Sequence, residues 1–212
     1  MVLKKNLSNK FNENLILSTS LFIFFAFILV NALEWNKVLL NSITPNLLSL
    51  IILLLNLFFI NSIFIDDTQK ERVEFVLIYT GDLFLYLLRK IIVFWYKIYL
   101  PLIPWILCVY GVTSLNLKNL LFIFASYFLL TFNYSILGML IMFLGLRMTR
   151  FWKEILPKLL LIPFSLPSFI FTLYIYDFKK LTVILSLISL SVFYLFILEK
   201  ITQNLNIYLL TN

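Results

Sequence analysis

Long apolar runs alternate with short polar breaks along nearly the whole chain. Six runs, at about 15–33, 46–65, 83–111, 119–146, 154–176 and 181–198, are long enough or nearly long enough for a helix to cross a bilayer. The third would be about 43 Å long at 1.5 Å per residue. That exceeds a hydrocarbon core of about 30 Å, so Arg89 and Lys90 belong at the inner interface and only about 91–111 is immersed. Lys97 must then snorkel or find a partner at depth. Asn56 and Asn61 in the second run, and Asn133 in the fourth, call for helix–helix hydrogen bonds, and Gly138 permits close helix approach. Pro101 and Pro104 are expected to kink the third helix. Pro163 and Pro167 predict a kink or an unwound turn near 162–169, buried against another helix because lipid cannot satisfy the freed carbonyls.

The most polar break is 65–82, IDDTQKERVEFVLIYTGD. Asp66 and Lys70 form an acid-first i,i+4 pair, the favourable orientation on an exposed helix. Asp67, Glu71 and Glu74 fall on one face, and Val73, Val76 and Leu77 on another, which predicts a short amphipathic surface helix. Gly81 is suited to end it and Asp82 to cap the helix starting at Leu83. Such a helix either solvates a connector or offers a docking face to a partner.

Basic residues give the orientation. Lys4, Lys5, Lys10, Lys70, Arg72, Arg89, Lys90, Arg147, Arg150, Lys153, Lys158 and Lys200 fall on one side. Lys37, Lys118, Lys179 and Lys180 fall on the other. The excess places both termini inside, on the cytoplasmic or matrix side. The stretch 147–153 reads as a basic inner loop, 177–180 as a short outer turn, and 199–212 as a polar tail returning inside. Residues 1–14 lack a good cleavage site after the run that follows, so 15–33 is expected to be an uncleaved span.

Composition narrows the chemistry. Of 212 residues, 62% are hydrophobic and only 13% charged, which fits a helical membrane protein and no ordinary soluble domain. There are four glycines and no phosphate-cradling G-x-x-x-x-G-K-[ST] loop, so ATP binding by that route is excluded. No histidine is present, which removes the commonest metal ligand and general base. The single cysteine, Cys108, lies in an apolar run and reads as packing.

Taken in order, Asp66, Asp67, Gln69 and Glu74, then Lys90, Trp95 and Pro101, then the stretch from Ile162 through Pro163 to Pro167, resemble the CcmB family. Members of that family are the haem exporter B subunits of cytochrome c maturation (System I). Lys70, Glu71 and Arg72 stand where the family usually has a glycine. The resemblance implies an all-α, six-span permease subunit of the ABC-2 (type V-like) kind, with a short amphipathic coupling helix between spans two and three. It implies no catalytic, metal or cofactor site on this chain, with haem as cargo of the complex and ATP bound by a partner. Asp66, Asp67, Gln69 and Glu74 would then contact the ATPase, and Pro101, Pro163 and Pro167 would serve as hinge or packing residues. The implied partners are a CcmA-like ATPase, a CcmC-like haem-handling subunit, a small CcmD-like subunit and a CcmE-like haem chaperone. The implied location is a bacterial plasma membrane or the mitochondrial inner membrane. Rival readings are an ABC-2-type exporter permease for another substrate and a six-span protein-translocase subunit. A proton-conducting respiratory subunit fits poorly, since only Lys97 is a candidate relay at depth.

Overall fold

The computed structural model describes residues 46, 48–56, 79, 82–113, 117–144, 150–173 and 180–211, and all of these except Asp82 are helical. Five helices follow in order: α1 (48–56), α2 (Leu83–Thr113), α3 (Leu117–Leu144), α4 (Arg150–Leu173) and α5 (Lys180–Thr211). Two apolar stretches, Leu120–Ile141 of α3 and Leu181–Asn204 of α5, are long and apolar enough to cross a membrane. In α4 the apolar part, Leu159–Thr172, is shorter.

The start of α2 follows from its cap. Asp82 Oδ1 accepts from the Leu85 N–H at 3.3 Å, and the Asp82 carbonyl accepts from the Tyr86 N–H at 3.4 Å. These bonds satisfy donors that a helix start leaves without an intrahelical partner. From there Leu83, Leu87, Ile91, Phe94, Ile98, Leu102 and Ile106 recur every three or four residues and form a fully buried stripe. Pro101 is buried within α2 and Pro104 is exposed, and the helix continues through both. Lys97 is half-buried on the flank of α2.

The centre of the bundle is α3. It packs most extensively on α5 and α4, and nearly as much on α2, while α2 and α4 each make smaller contacts with α5. From Asn133 to Ile141 every residue of α3 is buried, so no face of that segment is left over. Gly138 lies in it, where a missing side chain lets neighbouring backbones approach. Leu48, Ile51, Ile52 and Leu55 of α1 join the same apolar core.

Three expectations are corrected. Arg150 and Lys153, expected in a loop, lie in the first turn of α4. Both are good helix formers. The expected polar tail is helical to Thr211, continuing α5. Gln203 Nε2 donates to Glu199 Oε1 at 3.1 Å and Lys200 Nζ donates to Gln203 Oε1 at 3.2 Å, pairs that suit a solvated helix end.

The third correction concerns α4. It remains helical through 162–169, and Pro163 and Pro167 lie on its exposed face rather than against a neighbour. The buried face is Leu161, Ser165, Ser168 and Thr172, small enough to sit close to the bundle. Hydroxyls serve the carbonyls of the proline-containing turn. Ser165 Oγ donates to the Ile162 carbonyl at 2.8 Å, and Tyr194 of α5 donates to the Phe164 carbonyl at 3.2 Å.

Candidate functional site

Two clusters in this bundle carry polar or aromatic chemistry at depth. The first is a plate of rings between α2 and α3. Trp95 stacks on Tyr99 at 5.9 Å between centroids and meets Phe128 edge-on at 4.4 Å and Phe132 at 5.8 Å. Tyr99 meets Phe128 edge-on at 5.3 Å. The Trp95 indole N–H is shared between the Phe128 carbonyl at 3.1 Å and Thr131 Oγ1 at 3.0 Å. Tyr99 donates to the Phe124 carbonyl at 3.3 Å. Edge-on pairs gain from the ring quadrupole, and both polar tips find acceptors on α3, so the plate clamps α2 to α3.

The second cluster is a polar seam where α3, α4 and α5 meet. Most hydroxyls there are returned to their own helix and are chemically quiet. Ser135 donates to the Thr131 carbonyl at 2.8 Å, Thr172 to Phe169 at 2.7 Å and Ser191 to Leu187 at 2.8 Å. Two bonds instead cross between helices. Asn133 Nδ2 donates to the Leu187 carbonyl at 3.2 Å, joining α3 to α5, as the asparagine within an apolar run led us to expect. Tyr194 joins α5 to α4 through Phe164.

What distinguishes the seam is its unpaired capacity. Asn133 Oδ1, Tyr134 Oη and Ser168 Oγ are buried without a hydrogen-bond partner among the described residues. Ser168 is one turn beyond Phe164, whose carbonyl the Tyr194 hydroxyl meets. Buried polar groups in folded proteins are nearly always satisfied, and each unmet one costs about 1–3 kcal/mol. On α1, Asn56 departs from expectation. Its Nδ2 donates to its own helix at the Ile52 carbonyl, 2.9 Å away, and its Oδ1 is also unpaired.

The seam is built from amides and hydroxyls, so it can hold and orient a neutral polar group by hydrogen bonds. Among the described residues no group of three His, Cys, Asp or Glu side chains is placed to hold a metal ion.

Of the residues expected to act, Asp66, Asp67, Gln69 and Glu74 lie outside the described residues, as does nearly all of the amphipathic connector. Pro101 is in the α2 core, and Pro163 and Pro167 are on the outer face of α4. Tyr134, Ser168 and Tyr194 were not anticipated as a group. The signal available was the spacing of Ser165, Ser168 and Thr172 in an otherwise apolar run, which puts all three on one helix face. Nothing in that spacing names the tyrosines that meet them. Compared with protein-family models, with curated proteins and with solved structures, the chain has no match.

Proposed function

We propose that this chain is an integral membrane subunit of a multi-protein complex, without catalytic residues of its own, and the CcmB-like permease of a cytochrome c maturation complex in particular. The observation that carries the membrane part is the outward face of α5. Leu181, Leu185, Ile188, Val192, Phe193 and Phe196 are all exposed along one helix long enough to cross a bilayer. A large contiguous apolar surface of this kind is untenable in water and is what hydrocarbon requires.

The permease part rests on the ordered residues Asp66, Asp67, Gln69, Glu74, Lys90, Trp95, Pro101, Pro163 and Pro167. Two of them have structural work consistent with that reading. Trp95 ties α2 to α3, and Pro163 precedes Phe164, whose carbonyl Tyr194 meets. In this reading six spans lie in a bacterial plasma membrane or mitochondrial inner membrane with both termini inside. A CcmA-like ATPase binds the acidic face of 66–79 and supplies ATP hydrolysis. CcmC-like, CcmD-like and CcmE-like partners handle haem, which is cargo of the complex.

The test is charge reversal of the docking face. Asp67→Lys with Glu74→Lys places like charges against a basic groove, a penalty of several kcal/mol at a desolvated contact. Membrane insertion is expected to be normal, while the ATPase is lost on co-purification and cytochrome c fails to mature. Retention of the ATPase at wild-type yield with normal maturation would show that the connector does not couple the two.

A further inference from the structure

We propose that the outward ridge of α4 is the docking face for a membrane helix of a different protein, one that presents two side-chain amides a turn apart. This inference rests on the membrane reading of the chain and not on the permease reading.

Leu159, Pro163 and Pro167 are spaced four apart and are all exposed, so they stand one above another along the outside of α4. Proline has no N–H. Pro163 therefore deprives the Leu159 carbonyl of its helical donor, and Pro167 does the same to the Pro163 carbonyl. Side-chain donors go elsewhere. Ser165 and Tyr194 meet the Ile162 and Phe164 carbonyls, whose partners four residues on, Leu166 and Ser168, do carry an N–H. Among the described residues, no side chain donates to the Leu159 or Pro163 carbonyl.

Lipid tails have no donor to offer, and carbonyls freed by proline within a membrane are ordinarily met by a neighbouring helix. The two carbonyls are about 6 Å apart along the axis at 1.5 Å per residue, so they call for two donors one turn apart. A second copy of this chain does not bring that pair from its described residues. Outward positions on α4 are Leu, Ile, Phe and Pro. The exposed apolar face of α2 brings a single hydroxyl, Tyr96, and on α5 the Ser189 proton is already given to the Ser186 carbonyl at 2.8 Å. Amides fit better than small hydroxyls, by this bundle's own pattern. Ser135, Thr172 and Ser191 bond carbonyls of their own helix, whereas Asn133 reaches across to the Leu187 carbonyl at 3.2 Å. Exposed Ile162, Leu166 and Ile170 supply apolar packing around the ridge. The outer face of α5 differs, since α5 contains no proline and lipid alone suffices there.

The test uses a leucine–alanine transmembrane peptide with two asparagines one turn apart, and the same peptide with alanine at both places. Each is reconstituted with the full-length chain in phosphatidylcholine bilayers. A photo-cross-linking side chain replaces Leu166 on α4 or Val192 on α5, both exposed. From Leu166 the yield is expected to be several-fold higher with the asparagine peptide than with the alanine peptide. From Val192 the two yields are expected to be equal. Pro163→Ala with Pro167→Ala restores both backbone N–H groups without disturbing the helix, and is expected to abolish the preference. Pairing of the peptide with itself is the same for both chains and leaves that comparison intact. Equal yields from Leu166, or a preference that survives the double alanine variant, would overturn the proposal. So would cross-linking from Leu166 to a second copy of the chain in place of the peptide. A chain outside the bilayer would capture neither peptide from either position, which would overturn the membrane reading itself.

Discussion

The two most apolar helices of this protein, α3 and α5, have opposite fates. In the most apolar 18-residue window of Leu120–Ile141, 61% is buried inside the bundle, against 28% for the corresponding window of Leu181–Asn204. Both are mostly Leu, Ile and Phe with a scatter of Ser, and neither has a charged residue in its middle. Their difference lies in where the few polar residues fall. Along α5 the buried positions Val183, Leu187, Ser191, Tyr194, Leu198 and Thr202 form one narrow stripe. Along α3 the polar residues Ser126, Thr131, Asn133, Tyr134 and Ser135 turn toward several directions, and all are buried. Ser126, Thr131 and Ser135 bond carbonyls of their own helix, while Asn133 reaches α5. In lipid, apolarity therefore does not mark the inside, because lipid tails are as apolar as the core.

That contrast can be broken most sharply by matched truncations. Ile136→Ala, at a fully buried site of α3, is expected to cost about 2–5 kcal/mol, since the hole cannot refill. Val192→Ala, on a residue 62% exposed on α5, should change stability by less than about 0.5 kcal/mol. Unfolding of the purified chain in mixed micelles measures both. Equal costs would mean that α5 is covered by protein rather than lipid.

A charge sharpens the same point from outside. Val192→Lys is expected to oppose membrane insertion of α5 by about 2.5–3.5 kcal/mol if this position is near the bilayer centre. A glycosylation-based insertion assay on the α5 segment reads the balance between inserted and non-inserted forms. No change would remove the lipid-facing assignment.

The smallest effect is expected where the two helices touch. Asn133→Ala deletes the bond to the Leu187 carbonyl, whose acceptor keeps the Ser191 hydroxyl. Interhelical hydrogen bonds in membranes average about 0.6 kcal/mol and reach about 1.7. A loss within that range, together with a null result for the exposed Ser189→Ala, is expected from the same unfolding measurement. A loss far above it would mean that Asn133 Oδ1 also serves the bundle.

Local features were legible because they are set by neighbours in sequence. Asp82 was readable as a cap, since its side chain needs only the next three residues. The limits of α2 and α3 were readable to within a few residues from the apolar runs. Asn133 was readable as an interhelical donor because an amide in an apolar run has few other options. The helical continuation past Leu198 is hidden by its polarity, which resembles an end signal, while Glu199, Lys200 and Gln203 support each other along a helix.

What the sequence by itself determined is an all-helical chain with apolar surfaces, its caps and its isolated polar donors, because composition and spacing act over one or two turns. Only the tertiary structure decided that α3 is central and α5 peripheral. It alone turned Pro163 and Pro167 outward and set the Tyr194 hydroxyl of α5 on the Phe164 carbonyl of α4. The reason is that between apolar helices the choice of neighbour rests on side-chain fit and a few hydrogen bonds, which no single helix encodes.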